Sequence, residues 1–288
     1  LLTTFAVVFI GALPLVVSHT LGETWLLVSD SALAIHFVTG LLIGCTAACS
    51  TLVREIHRGT ASAVLSKPVS RTLFFLAKFC GVGLVILAVS FAVLMAAILG
   101  ARVVNDPYIP DRVAALAVLL AAPVAYALAG AVNYVWRRPF SSNAFGLLLL
   151  VLLFAFVVAG FLDREGGLVS FGAAYTLELA PLAALVTMAV LVLTAVAVSL
   201  ATFLDVVPTL SLCSVLFMIG LMSDYLFGRF ADSHALAWIL YRLMPNWQNF
   251  WVTDALRNGV VVPWHYVAQA GLYAALYITA VLSLGATN

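Results

Sequence analysis

The sequence predicts an all-α protein, a bundle of about eight helices that crosses a membrane repeatedly. Of its 288 residues, 65% are hydrophobic and 9% are charged, whereas a soluble domain is about 45–50% apolar and about 25% charged. A soluble fold of this length cannot bury that much apolar surface, so the excess must face lipid. The few charges also fall between long apolar runs, so each charged cluster marks a loop.

Eight apolar runs have roughly the length of a membrane-spanning helix, which needs about 20 residues. Backbone groups in lipid must be hydrogen-bonded within the protein, so spanning segments are helices or strands of a closed barrel. These runs lack the apolar and polar alternation of barrel strands. We therefore predict one transmembrane domain, residues 1–288, with helices near 1–17, 31–52, 74–99, 113–135, 143–161, 181–203, 209–228 and 266–284.

The basic residues predict the orientation of these helices. Lys and Arg accumulate in cytoplasmic loops, and two loops are dense in them. These are the loop after the second helix, with Arg54, Arg58, Lys67 and Arg71, and the short loop with Arg137 and Arg138. Placing both loops in the cytoplasm, with an even number of helices, puts both termini there too. The expected location is the cell membrane, as a multi-pass protein.

Residues 229–265 form an aromatic segment that the same orientation places on the outer face. It contains Trp238, Trp247, Trp251 and Trp264. Indole rings prefer the headgroup zone of a membrane, where the ring is partly in an apolar environment and the N–H is hydrated. We expect short helices that lie on or dip into the outer leaflet. Two interpretations remain open, an ordinary aromatic belt or an outer gate for an amphipathic substrate.

The loop at residues 53–73 carries the most specific local pattern. Gly59 interrupts the helix that arrives from the membrane, and Thr60 can cap a new short helix at 61–66. Pro68 stops that helix, and Ser70 can cap the next one, which re-enters the membrane. The pattern therefore predicts a short helix across the inner face of the membrane.

This loop resembles the cytoplasmic loop of type-two ATP-binding-cassette (ABC) exporter permeases. The residues that carry the resemblance are Glu55, Gly59-Thr60, Leu65-Ser66, Pro68-Val69-Ser70-Arg71, Ala77-Lys78 and Gly81. A later segment is similar to the outer loop and final helix of many such permeases, through Pro245-Asn246-Trp247-Gln248, Thr253 to Leu256, Val262-Pro263-Trp264 and Tyr266-Val267.

The resemblance implies a role for the loop. In that family it is the coupling helix, which sits in a cleft of the ATPase subunit and transmits its motion to the membrane helices. The residues in ATPase coupling would then be Glu55, Arg58, Gly59, Thr60, Leu65, Ser66, Lys67, Pro68, Ser70 and Arg71. The chain departs from the family in helix count, because the usual core has six spanning helices. The alternative is a basic connector at the inner leaflet.

The expected partners follow from what the chain lacks. It has no G-x-x-x-x-G-K-[ST] phosphate loop, so we expect no cofactor in this chain, with ATP and Mg²⁺ bound by a separate ABC ATPase subunit. A second permease copy or a paralogue would complete a two-fold assembly. Membrane lipids and accessory proteins are further candidate partners. Nucleic acid is not expected, because no concentrated basic face exists.

Three polar residues inside the apolar runs are candidates for a substrate path. They are His36 in the second predicted helix and Tyr126 and Asn133 in the fourth. Intramembrane ionisable residues are functional candidates, although a neutral imidazole can also simply hydrogen-bond a neighbouring helix. Cys45 and Cys49 are one turn apart, but no His or Met accompanies them, so we predict no metal site and assign no catalytic residue.

Two other classes of function stay open. A membrane-embedded hydrolase or lipid-modifying transferase would use His36, His234 or His265 beside a nucleophile or acid, and no motif places such groups together. An ion-driven secondary transporter would require acids in mid-span, whereas the acids here fall mostly in loops or near the predicted helix ends. The leading prediction is a permease subunit of an ABC transporter, an exporter by resemblance, with no enzymatic activity of its own.

Overall fold

The computed structural model describes residues 1–17, 23–57, 71–106 and 109–287, and this part of the chain is helical with no named strand. Two short 3₁₀ turns, Gly228–Phe230 and Trp247–Asn249, accompany the α-helices. The helices are α1 (Leu2–Val17), α2 (Thr24–His57), α3 (Arg71–Val103), α4 (Arg112–Trp136), α5 (Phe140–Gly160), α6 (Leu179–Leu200), α7 (Val206–Leu221), α8 (Ser223–Leu226), α9 (Ala235–Leu243), α10 (Asp254–Arg257) and α11 (Trp264–Thr287).

Six of these helices are long and apolar enough to cross a membrane, or seven if a bent pair counts as one span. The bent pair is Val206–Leu221 and Ser223–Phe230, which meet at 67°. This confirms the prediction of an all-helical chain with several membrane-spanning candidates, but not the count of eight. The first predicted span, α1, has 16 residues, which at 1.5 Å per residue gives about 24 Å, less than a hydrocarbon core of about 30 Å.

The first compact unit comprises residues 1–39, 88–183 and 253–261. Small residues bring its helices together. Gly11 of α1 lies against Val118 of α4, where an added Cβ would be 3.0 Å from a valine methyl group. The hairpin of α4 and α5 packs through Ala122, Ala125 and Leu148, which are almost fully buried. Alanine and glycine permit such close helix approach because their side chains are small. Close approach stabilises the pair, since van der Waals contact drives helix association in lipid.

The second unit comprises residues 40–87, 184–252 and 262–288. In one helix contact of this unit, two glycines of α2, one turn apart, lie against two residues of α6 that are also one turn apart. A Cβ at Gly40 would lie 2.8 Å from Val190, and one at Gly44 would lie 2.5 Å from the Thr194 hydroxyl. The pattern of two glycines four residues apart is typical of close helix pairs in membranes.

The aromatic segment at 229–265 is built from short pieces, in agreement with the expectation of short helices there. It contains α9, a 3₁₀ turn and α10, joined by non-helical residues. Helix α9 begins at Ala235 and ends at Leu243, before Pro245, and none of its residues is buried. Its orientation relative to a membrane stays a prediction.

Candidate functional site

The predicted coupling loop lies between the ends of α2 and α3. Helix α2 continues past Thr51, where its apolar span ends, to His57, and α3 begins at Arg71. Glu55 and Arg71 are thus in helical backbone. The other predicted coupling residues lie outside the described residues, and these are Arg58, Gly59, Thr60, Leu65, Ser66, Lys67, Pro68 and Ser70.

The predicted intramembrane histidine is hydrogen-bonded to a serine of the next helix. His36 Nε2 lies 2.8 Å from Ser90 Oγ, which joins α2 to α3. The exposed fractions of His36 and Ser90 are 1% and 6%. A neutral imidazole can be donor or acceptor at this nitrogen, according to its tautomer. The two side chains therefore form a buried polar contact in the interior of the first unit.

His36 belongs to a polar stripe along one face of α2. At 100° per residue, Trp25, Ser29 and His36 fall within about 40° of one another. Ser29 is fully buried. Its hydroxyl and the Trp25 indole nitrogen make no hydrogen bond to any residue that the structure describes. Buried polar atoms are nearly always paired, so this stripe offers hydrogen-bonding capacity to a polar group inside the first unit.

The sequence analysis missed an acid in the same part of α2, on a different face of the helix from this stripe. Asp30 is inside the apolar span Thr24–Thr51, and its Oδ2 is 3.7 Å from Arg257 Nη2. Its Oδ1 is buried without a hydrogen-bond partner in the described part of the chain. The predicted second helix began at residue 31, which left Asp30 in a loop. The apolar run at 26–28, directly before it, was the signal that the helix starts earlier.

Tyr126 and Asn133, the other two predicted path residues, hold α4 to its neighbours. The Tyr126 hydroxyl lies 2.9 Å from Thr4 Oγ1 of α1. The exposed Asn133 amide donates to the Arg138 carbonyl at 2.6 Å and so closes the turn between α4 and α5. These hydrogen bonds tie helices together and do not gather the two residues around His36.

A buried arginine is at the centre of a charged network in the first unit. Arg102, in the last turn of α3, donates from Nε to Asp111 Oδ2 at 2.7 Å, and the exposed fractions of the two side chains are 2% and 8%. Its two terminal nitrogens donate to the carbonyls of Ala159 and Leu162 at 2.6 and 2.7 Å. Such a planar, multiply bonded arrangement suits a guanidinium group. The network ties the ends of α3, α4 and α5 together.

Asp111 and Tyr175 complete this network. Asp111 caps α4 by accepting from the Ala114 amide at 2.9 Å, and the Tyr175 ring faces the guanidinium at 5.5 Å. Burial raises the pKa of Tyr175 to about 12, although the nearby positive charge of Arg102 acts in the opposite direction. The phenol therefore stays protonated and donates to the Phe156 carbonyl.

The predicted third helix ended at residue 99, which left Arg102 in the loop that follows it, and the sequence analysis therefore missed this network. The available signal was Asp111, which lies two residues before an apolar run, in a position typical of a helix N-cap. It follows Arg102, near the end of the preceding run, by nine residues. That spacing permits a contact between the two helix ends. It does not reveal that Arg102 also donates to the carbonyls of Ala159 and Leu162, which lie 57 and 60 residues further along the chain.

The four tryptophans predicted as an outer gate occupy different environments. Trp247 is fully buried in the second unit, whereas Trp238 and Trp264 are 52% and 62% exposed, and Trp251 is half-buried. The Trp247 indole N–H donates to the Leu216 carbonyl of α7 at 3.3 Å. Trp247 thus anchors the aromatic segment to α7, while Trp238 and Trp264 are exposed in the way expected of interfacial residues.

Further contacts hold the aromatic segment to α8 and α11. The Tyr241 hydroxyl donates to Asp224 Oδ1 at 2.7 Å, and this hydrogen bond, together with burial, raises the pKa of Tyr241. From α11, the Tyr273 hydroxyl accepts from the backbone N–H of Asn246 at 3.1 Å, and the Tyr277 hydroxyl donates to the backbone carbonyl of Leu243 at 2.9 Å. The segment is therefore fastened at several points.

The four cysteines are free thiols. Cys45, Cys49 and Cys213 are buried and Cys80 is exposed. Within the described ranges, no group of three or more His, Cys, Asp or Glu side chains is arranged to hold a metal ion.

Comparison of the chain with family models, with curated proteins and with solved structures finds no match.

Proposed function

We propose that the chain is the membrane-spanning permease subunit of an ABC transporter, an exporter of the type-two class in a cell membrane. A separate ATPase subunit would bind ATP and Mg²⁺, and a second permease copy or a paralogue would complete the assembly. Both termini would lie in the cytoplasm. Membrane lipids and accessory proteins would be its other partners.

One observation carries this proposal, the residue pattern between α2 and α3. Basic bias alone would satisfy the positive-inside rule, but it does not require Gly59-Thr60, Pro68 and Ser70-Arg71 at these spacings. Residues of these types favour the start or the end of a helix, so the sequence pattern predicts a short helix in this loop. A short rigid element between two helices is what a neighbouring subunit needs in order to move them.

The helices on either side of the loop support the proposal. Each spanning helix contains an apolar stretch of 18 residues. In α2 and α3, 61% and 67% of these residues are buried, whereas in α4, α5 and α11 the buried shares are 33%, 28% and 22%. The loop thus connects two of the most enclosed spanning candidates of the chain. A displacement of the loop would be passed to well-packed helices, and packed helices transmit movement because protein interiors are nearly incompressible.

The proposed mechanism is a change between two arrangements of these helices. ATP-driven closure of the partner subunits would move the coupling helices, and the spanning helices would alternate between inward-open and outward-open forms. A substrate is pumped only if it binds the two forms differently. In this scheme the polar stripe of Trp25, Ser29 and His36 is where polar groups of a substrate would be bound.

A pull-down experiment tests the proposal. The tagged chain is purified in mild detergent, and co-purifying proteins are identified by mass spectrometry. We expect a protein with a G-x-x-x-x-G-K-[ST] motif, and we expect Gly59→Trp and Thr60→Pro to reduce its recovery or its ATPase activity in the complex. Arg137→Gln, in the other basic loop, is the matched control. The proposal would be contradicted if no such ATPase co-purified with the chain. It would also be contradicted if ATPase recovery and activity were unchanged in both variants.

The contact between His36 and Ser90 favours one alternative, a membrane-embedded hydrolase. A hydroxyl 2.8 Å from an imidazole nitrogen is the arrangement of a serine nucleophile and its base. The near-complete burial of both groups opposes this function, because a substrate must reach the hydroxyl. A fluorophosphonate probe separates the two functions. Labelling of the native chain that is lost in Ser90→Ala would favour the hydrolase, and no labelling would leave the contact as a structural one.

A further inference from the structure

The first unit has a charged cavity and an apolar groove near the same helix ends. The cavity has a volume of about 590 Å³ and is lined by Arg102, Asn105, Asp106, Ile109, Asp111, Asp163, Arg164 and Ala174. The groove, of about 350 Å³, lies between α4 and α5 and has only apolar lining residues. Ala159 lines the groove, and its carbonyl accepts from Arg102, which lines the cavity.

The position of the two features fits the depth profile of a membrane. The cavity is at the ends of α3, α4 and α5, where spanning helices reach the headgroups. The groove runs from there along α4 from Val113 to Val124 and along α5 from Ala159 to Val151. At 1.5 Å per residue these stretches are about 12–16 Å long. That is about half of a hydrocarbon core of about 30 Å, the depth of one leaflet.

The charges of the cavity define the headgroup that fits it. Its lining carries three aspartates and two arginines, an excess of one negative charge. Arg102 and Asp111 neutralise each other in the buried network, and Arg164 forms a second, half-exposed pair with Asp106. Asp163 supplies the excess charge, with its Oδ1 accepting from the amides of Glu165 and Gly167. An occupant must therefore bring a positive group, and Arg164 offers a partner for an anionic one.

We propose that this part of the first unit binds one phospholipid with a primary ammonium headgroup, a phosphatidylethanolamine. The ammonium group lies by Asp163 and Asp106, the phosphate lies by Arg164, and one acyl chain fills the groove. A primary ammonium group is favoured over a quaternary one because it donates hydrogen bonds to carboxylates. This inference is independent of the proposed transport function, since it concerns a lipid bound to the first unit in any state.

Lipid retention measures this binding. The chain is reconstituted in nanodiscs with equal parts of phosphatidylethanolamine, phosphatidylcholine and phosphatidylglycerol, extracted in mild detergent, and analysed for bound lipid by native mass spectrometry. We expect one retained lipid per chain, with phosphatidylethanolamine enriched up to about fivefold over phosphatidylglycerol, which brings no positive group, as the upper end expected for a half-exposed charge pair. Over phosphatidylcholine, which has the same charge but no N–H donor, we expect a smaller enrichment. Equal retention of the three lipids would overturn the headgroup assignment.

Two variants separate the headgroup from the acyl chain. Asp163→Asn keeps the oxygen that accepts from two backbone amides but removes the charge, so we expect the enrichment to disappear while a lipid stays bound. Ala155→Phe fills the groove, so we expect retention of every lipid to fall. Leu150→Phe, on the same helix but outside the groove, is the matched control and should retain lipid. If Ala155→Phe does not accumulate, Leu116→Asn, which places an amide in the groove, gives the same information.

Other outcomes would overturn the proposal. Unchanged enrichment in Asp163→Asn would show that the cavity does not bind the ammonium group. A change in oligomeric state of Ala155→Phe with unchanged lipid retention would assign the groove to a contact with a second copy of the chain. Because ATPase capture through the loop at 53–73 is measured separately, failure here leaves the proposed transport function unaffected.

Discussion

Replacing Arg102 by methionine tests whether the buried network holds three helix ends together. Methionine has a similar length and no charge, so the substitution removes the hydrogen bonds without emptying the site. It leaves the Asp111 carboxylate, 8% exposed, without its cation. It also leaves the carbonyls of Ala159 and Leu162 without their donors.

The size of the effect follows from these losses. Removing one partner of a buried ion pair costs about 3–5 kcal/mol, because the remaining charge is unpaired in a medium of low dielectric constant. The exposed pair of Arg164 and Asp106 gives the contrast, since the exposed fractions of its side chains are 46% and 36%. Pairs of that kind contribute about 0–1 kcal/mol. Arg102→Met should therefore destabilise the protein several times more than Arg164→Gln.

The assay is thermal unfolding in detergent at one fixed scan rate, followed by gel filtration of the soluble fraction. We expect the midpoint temperature to fall most in Arg102→Met and little in Arg164→Gln. The double variant Arg102→Met, Asp111→Asn adds a second test. Asparagine still caps α4 but carries no charge, so the double variant should be no less stable than Arg102→Met. Equal losses in Arg102→Met and Arg164→Gln, or additive losses in the double variant, would refute the reasoning.

Three further predictions concern other parts of the chain. Gly220→Ala should cost about 1–3 kcal/mol, because its Cβ would lie 2.6 Å from the Pro245 carbonyl and against the Trp247 indole, whereas Gly146→Ala, with no atom within 4 Å, should not destabilise in the same thermal assay. Acrylamide quenching should show a larger quenchable fraction of fluorescence in Trp247→Phe and a smaller one in Trp238→Phe, since Trp247 is fully buried and Trp238 is 52% exposed. The pKa of Tyr175 is raised to about 12 from an unfolded value of about 10, so its contribution to stability is complete below pH 10 and is lost as the pH rises toward 12. Tyr175→Phe should show a smaller loss of stability in this window, and an identical alkaline profile would contradict the assignment.

The spanning helices could be predicted from the sequence because apolar length is a local property. The runs predicted at 74–99 and 113–135 correspond to α3 and α4, which differ from them by a few residues at each end. The bend at Met222 could not be read from composition. There α7 ends and the chain continues at 67°, next to Gly220, which packs against Trp247, 27 positions further along the chain.

The polar sites were only partly predictable. His36 was recognised because a titratable residue in an apolar run is conspicuous, but its partner Ser90 was not, since serine is common in such runs. Asp30 was missed through an error of seven residues at a helix start. Arg102 was missed because a charge near a helix end is usually solvated. The partner of a polar side chain depends on which helices meet in the fold. The spacing of apolar residues within one helix does not contain that information.

The turn between α4 and α5 has a consequence for how the chain enters the bilayer. Only residues 137–139 separate the two helices, and Arg137 adopts a left-handed backbone conformation there, with φ 52°. Helices of 25 and 21 residues joined so tightly cannot insert independently, because the second begins where the first ends. Transfer of the Arg137 and Arg138 side chains into the hydrocarbon layer would cost a free energy of about 2.5–3.5 kcal/mol for each charge. The hairpin is therefore expected to integrate in one step, with its tip retained on the side where it was synthesised.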